Sequence, residues 1–400
     1  MSGPGLSRSA ESIRRGVFAE LQARIERYTA GGGDLVPLQI GDTFLDPPES
    51  ARFPAVIDAS KIEPELYRYG ATLGLARLRA AFAERLHARC GLSVDPDREL
   101  LLGCGATHAL HCAARAILDP GDDVLLASPY WPLAHGILAS CNARVLEVPF
   151  TSRLYDEPGL DAAEPFRRAL TPATKAIYLI TPNNPDGKVL TRAQLESVAA
   201  LAIERDLWVF ADEAYADHAF DHPHVSLATL PGMAERTVTA HSLSKSHALA
   251  GVRLGCVVGP AAMIGVARKV AIHTTFNVPV IAQRSALAAL QHGEAWPDRA
   301  RAHYREARDA AIEALAGAPV KFGRAEGGTY LFLDFAAPLQ GRPLQVLLER
   351  AIDHGVLLAP GEAFGIDWPT HARLCYTAVP RPRLLEGIAR LRAAIDSLDR

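Results

Sequence analysis

The chain has 400 residues and a formal net charge of -3, with 49% hydrophobic and 22% charged residues. That balance excludes a disordered chain and leaves no basic footprint for nucleic acid. At about 150 residues per domain the length predicts two or three lobes; no apolar run is long enough to cross a bilayer, and the opening "MSGPGLSRSAESIRRGVFAE" has no apolar signal core.

In chain order, Ile13, Val17, Leu21 and Ile25 fall four apart and predict an amphipathic helix. "GLARLRAAFAERLHARCG" predicts a helix closed by Gly91, and "GCGATHALHCAARAIL" a glycine turn entering a helix near Ala106 and Thr107. The apolar runs in "GDDVLLASP", "ARVLEVP", "KAIYLI", "DLWVFADE" and "RTVTAHS" predict buried strands. Among them, "TRAQLESVAALAIERD" predicts a helix with Thr191 as N-cap and Leu195, Val198 and Leu201 inward. The last third changes character. "GGTYLFLDF" and "ARLCYTAV" read as strands of another sheet, with "GRPLQVLLERAIDHG" and "RPRLLEGIARLRAAIDSL" as helices packed on it. The expected architecture is α/β: a large domain on a mainly parallel sheet covered by helices on both faces, plus a smaller α+β domain. The expected division is residues 1–48 as an N-terminal arm packed with the small domain, 49–290 as the large domain and 291–400 as the small domain.

The six cysteines, Cys90, Cys104, Cys112, Cys141, Cys256 and Cys375, are scattered with no C-x-x-C pair, which points away from a disulfide framework or structural zinc and toward a reducing cytoplasm. "HALHC" brings His108, His111 and Cys112 together, and "DHAFDHPH" brings His218, His222 and His224. Neither has a matching distant ligand pair, so both read as packed or exposed histidines and no metal is expected. His241 and His247 flank a lysine and are either pocket-lining or strand-end packing.

Ligands of open α/β sheets sit beyond the carboxyl ends of strands. Here those ends deliver "SPYWP", "TPNNPDGK", "DEAY" and "HSLSK": an aromatic, a side-chain amide, a carboxylate with a phenol, and a lysine. Singly, each has a plain structural reading as a cap, a turn or a solvated charge. Together they suit pyridoxal 5'-phosphate (PLP). A lysine amine forms a Schiff base with its aldehyde, and a carboxylate keeps its pyridine nitrogen protonated. Phenol and amide donors satisfy its phenolate oxygen, and an aromatic stacks on its ring. A phosphate cup is available in the turn at Gly105, Ala106 and Thr107, with Ser242 and Arg253 bracketing Lys245. No Walker-type phosphate loop is present.

These residues resemble the fold type I, class I/II aminotransferases along nearly the whole chain. The resemblance is carried by "LQIGDTFLDPP", "YRYGATLGLARLRAA", "TPNNPDGKVL", "ADEAY", "SLSKSHALAGVRLG", "LAPGEAFG" and "ARLCYT". It implies a fold type I PLP-transferase with a seven-stranded sheet, acting as a homodimer on an L-amino acid and a 2-oxo acid, without nucleic acid or membrane partners. It also implies roles. Lys245 forms the Schiff base and, once freed, is the general base. Asp212 pairs with the pyridine nitrogen; Tyr215 and Asn184 donate to the phenolate oxygen; Trp131 stacks on the ring. Gly105, Ala106, Thr107, Ser242 and Arg253 hold the phosphate, with Tyr69 reaching across from the other subunit. Arg373, helped by the backbone of Gly41, Trp131 and Asn184, holds the substrate. Two departures stand out. Asp186 replaces the usual threonine of the asparagine turn, which a turn tolerates. The segment "IHTTFNVP", where dicarboxylate-specific members carry an arginine, has none, which disfavours a strict aspartate or glutamate donor unless His273 or Lys269 substitutes. The leading expectation is an aminotransferase. The alternatives are another PLP reaction on the same fold (β-elimination, cyclisation, decarboxylation or oxidation) and, more remotely, a PLP-sensing regulator, for which the short N-terminal stretch leaves no room for a helix-turn-helix domain.

Overall fold

The computed structural model describes residues 5–11, 13 and 21–399. Among these residues are twelve strands: β1 (Val36–Pro37), β2 (Leu100–Cys104), β3 (Asp123–Ser128), β4 (Arg144–Pro149), β5 (Thr174–Ile180), β6 (Trp208–Asp212), β7 (Thr237–Ser242), β8 (Leu254–Val258), β9 (Tyr330–Asp334), β10 (Val356–Leu357), β11 (Ala359–Pro360) and β12 (His371–Cys375). Seven of them form one sheet in the order β2-β8-β7-β6-β5-β3-β4. The expected mainly parallel sheet is therefore present, with β8 running antiparallel to both of its neighbours, β2 and β7.

Apart from the edge strand β4, the sheet is buried on both faces because its strands are apolar at consecutive positions, not alternate ones. Successive residues feed opposite cores. Val124, Leu126, Ala176, Tyr178 and Phe210 pack with helix Gly105–Ile117 and helix Ala261–Thr275. Leu125, Ala127, Ile177, Leu179, Val209 and Ala211 pack with Leu195, Val198 and Leu201 of helix Arg192–Glu204. That last helix starts as its sequence predicts: the Thr191 hydroxyl accepts from the Gln194 backbone at 3.3 Å and the Gln194 side chain accepts from the Thr191 backbone at 3.0 Å. Thr191→Ala should cost about 1 kcal/mol in urea unfolding with an unchanged m-value; an unmoved midpoint would show that the cap contributes nothing.

A second core gathers the C-terminal third. Strands β11, β12 and β9 form an antiparallel sheet, and helices Trp296–Ala314, Leu344–Asp353 and Arg381–Asp396 bring their buried faces to it. Leu21, Val36 and Leu38 belong to this same core, and β1 pairs in parallel with β10. The N-terminal periodicity predicts one helix running back to Ile13. The helix observed there spans Gln22–Ala30, with Ile13 at a bend and exposed; Val17 lies outside the described residues. Strands β2 and β8 were not among the apolar runs picked out above.

Candidate active site

Parallel β5, β6 and β7 are neighbours in register, Ile180 opposite Asp212 and Asp212 opposite Ala240, so their carboxyl ends open on one rim. There Gly41, Ala106, Thr107, Trp131, Asn184, Asp212, Tyr215, Ser242, Lys245, Arg253 and Arg373 line a single cavity of ≈ 310 Å³. Residues more than 300 positions apart thus converge as the sequence predicts. Gly105 sits just behind the wall.

Lys245 lies on the short helix Leu243–Ser246 that continues β7, capped by the Ser242 hydroxyl accepting from the Ser244 N–H at 3.2 Å. Its Nζ reaches across the cavity and donates to the Gly41 carbonyl at 2.5 Å, passing 5.9 Å from the centre of the Tyr215 ring. His218 holds the Lys245 backbone carbonyl at 3.0 Å.

Asp212 ends β6 and is almost fully buried. Its carboxylate accepts from the Ala214 N–H at 3.1 Å and from the Tyr178 hydroxyl at 3.2 Å. Burial pushes its carboxyl up to about 6, and those two donors restrain the rise. A buried carboxylate with spare acceptor capacity can hold a protonated nitrogen.

The opposite end of the cavity is built for an anion. Helix Gly105–Ile117 begins there with no side-chain cap and no acidic residue in its first turn, and Ala106 and Thr107 of that turn line the cavity. Two glycines permit the crowding. A Cβ on Gly105, whose φ is +77°, would fall 2.7 Å from the Arg253 guanidinium, and one on Gly255 would fall 2.6 Å from the Ala106 nitrogen. Arg253 itself takes a left-handed backbone conformation, φ 58°.

Arg373 forms the third station. It is buried between the rings of Tyr330 (4.1 Å) and Phe364 (4.8 Å), and donates to Asn184 Oδ1 at 2.9 Å and the Gln39 carbonyl at 2.7 Å. Among the described residues its Nε has no partner. Among the described residues no carboxylate pairs with Arg253 or Arg373. The cavity therefore holds three cationic side chains, Lys245, Arg253 and Arg373, against the single carboxylate of Asp212, a balance that favours a ligand set bearing two anionic groups.

Other expected residues lie elsewhere. Tyr69 is 86% exposed and meets Phe276 edge-on rather than its own chain's cavity. His273 and Lys269 do not line the cavity. His241 and His247 resolve as packing: burial holds His241 down to about 4 and His247 down to about 3, and His247 stacks on Trp296. The "DHAFDHPH" histidines part company, His218 to the Lys245 carbonyl, His222 to Glu326 and His224 to Glu213. Asp186 does more than fill a turn: buried, it accepts from Thr151 at 2.5 Å, Asn183 at 2.8 Å and the Lys188 N–H at 3.1 Å, which ties the asparagine turn to the helix after β4. Tyr178 and Tyr330, whose hydroxyls meet Asp212 and Tyr215, carry no signal in the sequence, because a tyrosine inside a buried strand reads as core.

Fold and site together define a PLP-dependent transferase. The chain belongs to the aminotransferase class I and II family, which it matches over residues 34–391. It is 37% identical to the arginine–pyruvate transaminase AruH of Pseudomonas aeruginosa over 88% of this chain and 87% of that one, and 33% identical to the aspartate/prephenate aminotransferase of Thermus thermophilus over 93% and 94%. Among solved structures it superposes on the N-succinyldiaminopimelate aminotransferase of Mycobacterium tuberculosis with a TM-score of 0.87 at 29% identity, covering 98% of this chain and all of that one. The protein is a transaminase that uses PLP and exchanges an amino group between an amino acid and a 2-oxo acid. Its residues fit that cofactor: an amine and a buried carboxylate on adjacent strand ends, a glycine-cleared helix N-terminus beside a guanidinium, and hydroxyl and amide donors between them.

Proposed function

We propose that Lys245 carries the cofactor covalently and that the residues around it divide the work. Asp212 holds the ring nitrogen, Tyr215 and Asn184 the phenolate oxygen, and Trp131 one face of the ring. Gly105, Ala106, Thr107, Ser242 and Arg253 hold the phosphate. Arg373 and the Gly41 backbone hold the substrate α-carboxylate. When bound, the cofactor supplies a carbonyl for amine exchange and a ring that takes up the electrons left when the Cα–H bond breaks. With the cofactor bound, the Lys245 Nζ would serve as the base that takes the proton from the substrate Cα. Arg373 fixes the direction of that bond by gripping the carboxylate with a planar fork.

The observation that carries this reading is Arg373, a buried guanidinium with an unpartnered Nε and no carboxylate of its own, facing the same cavity as Lys245. Arg373→Leu should raise the KM for the amino donor by about 100-fold, with a smaller change in kcat, because a buried charge-assisted contact made before and during the reaction is lost. An unchanged KM would move the carboxylate site elsewhere.

The donor side chain is read as one without a carboxylate. Each cation lining the cavity already has a role, and the walls around them are Trp131, Leu133, Ile180 and Tyr330. We further infer a homodimer in which Tyr69 reaches the partner's phosphate end, supported by the exposed Ile62, Tyr67, Tyr69 and Phe276. The lobe division at residues 48 and 290 is supported by the separate cores. A reducing, cytoplasmic setting is supported by six free cysteines. Among the described residues no helix is long and apolar enough to cross a membrane.

A further inference from the structure

Tyr330 lies on β9 of the small sheet, opposite Cys375 of β12 and only 1% exposed, yet its ring projects into the large-lobe cavity. Three parts of the site meet on this one side chain. Its hydroxyl is 2.7 Å from the Tyr215 hydroxyl, and the two rings stand edge to face at 5.9 Å. The Arg373 guanidinium sits 4.1 Å above its ring centre, within cation–π range. A Cβ on Gly41 would lie 1.9 Å from its hydroxyl oxygen, so the strip that receives the Lys245 amine is pressed against it.

The hydrogen-bond direction follows from the neighbours. If Tyr215 donates its proton to the cofactor's phenolate oxygen, its own oxygen is left to accept, and the Tyr330 hydroxyl is the donor beside it. A donor on the Tyr215 oxygen makes Tyr215 the stronger donor in turn, since chained hydrogen bonds polarise one another. The Arg373 guanidinium over the Tyr330 ring draws electron density from that ring and so favours donation by its hydroxyl. A carboxylate arriving at Arg373 offsets the charge and relaxes the chain. We propose that Tyr330 is a positioning residue that couples occupancy of the substrate-carboxylate site at Arg373 to the phenolate end of the cofactor through Tyr215. This rests on the roles given above to Arg373 and Tyr215.

The test reads the pH at which the visible absorption of the bound cofactor changes, a midpoint that reports how tightly a proton is held beside its phenolate oxygen. Tyr330→Phe keeps the ring under Arg373 and removes only the hydroxyl. Weaker donation leaves more negative charge on the phenolate oxygen, so the proton is held more tightly and the midpoint should rise by about half a pH unit or more. Tyr215→Phe should raise it at least as far, and adding Tyr330→Phe to Tyr215→Phe should raise it no further, because the two act in series. Acetate at constant ionic strength, a carboxylate without a side chain to exclude, should raise the wild-type midpoint, and Tyr330→Phe should cut that acetate shift by half or more. A merely structural Tyr330 would lower the melting temperature and leave these midpoints in place. Unmoved midpoints in Tyr330→Phe, or shifts that add to those of Tyr215→Phe, overturn the coupling. If Tyr215→Phe moves nothing, or acetate moves nothing in the wild type, the coupling falls with the role assigned to Tyr215 or to Arg373, and the variant that stays silent identifies which.

Discussion

Lys245→Ala will lower transamination by at least about 10⁴-fold while leaving the fold standing. The proposed role puts two functions on one nitrogen, the covalent hold on the cofactor and the base that moves the Cα proton, so no neighbour can restore both. The only other lysine near this part of the sequence, Lys269, does not line the cavity. The structural cost is small. Among the described residues the Lys245 amine donates to the Gly41 carbonyl alone, and the helix turn beneath it is capped by Ser242 rather than by the lysine. Thermal unfolding of the cofactor-free variant should therefore match that of the cofactor-free wild type, and the visible absorption of the lysine-bound cofactor should be gone. A variant that retains either rate or absorption contradicts the role given to this residue.

Asp212→Asn should be the second-largest loss, about 10²- to 10³-fold in kcat. A carboxylate beside the ring nitrogen keeps a proton there, and an amide of the same shape cannot. The same substitution carries a stability signature in the cofactor-free protein. Burial raises the Asp212 carboxyl from 3.8 to about 6, so the folded state binds this proton more tightly than the unfolded state does. The stabilisation is complete below the ordinary carboxyl value and is lost as pH climbs through about 6, a swing of at most about 3 kcal/mol. Cofactor-free Asp212→Asn lacks that loss, so urea midpoints should favour the variant at pH 8 and converge with wild type near pH 4. Parallel midpoints at all pH values would mean that the carboxyl is not held in a dry, raised state.

Much of this site was legible because strand ends are punctuated. An apolar run followed by "SPYWP", "TPNNP", "DEAY" or "HSLSK" announces both the strand and what it presents, as at β3, β5, β6 and β7. Strand β8 escaped because it follows Arg253 directly with no turn residue between, and its Gly255 reads as a break rather than as the place where helix Gly105–Ile117 must come close. Tyr178 and Tyr330 escaped for a different reason. Hydrophobic periodicity identifies a buried tyrosine but says nothing of what its hydroxyl meets, and here the partners come from another strand or another lobe. Asp186 shows the reverse case: turn chemistry explained the residue, while its contact to Thr151 appears only once the chain has folded. The N-terminal periodicity runs from Ile13, which lies at a bend, to Ile25 in helix Gln22–Ala30, and its Val17 lies outside the described residues.

The central claim is that one particular amine holds the cofactor. The chain has six lysines: Lys61, Lys175, Lys188, Lys245, Lys269 and Lys321. Borohydride treatment of the purified holoenzyme, followed by proteolysis and mass mapping, fixes the cofactor to whichever lysine bears it. The expected result is a single modified peptide containing Lys245, with the other five unmodified. Label on any other lysine, or none on Lys245 in protein that is catalytically active, would contradict the account.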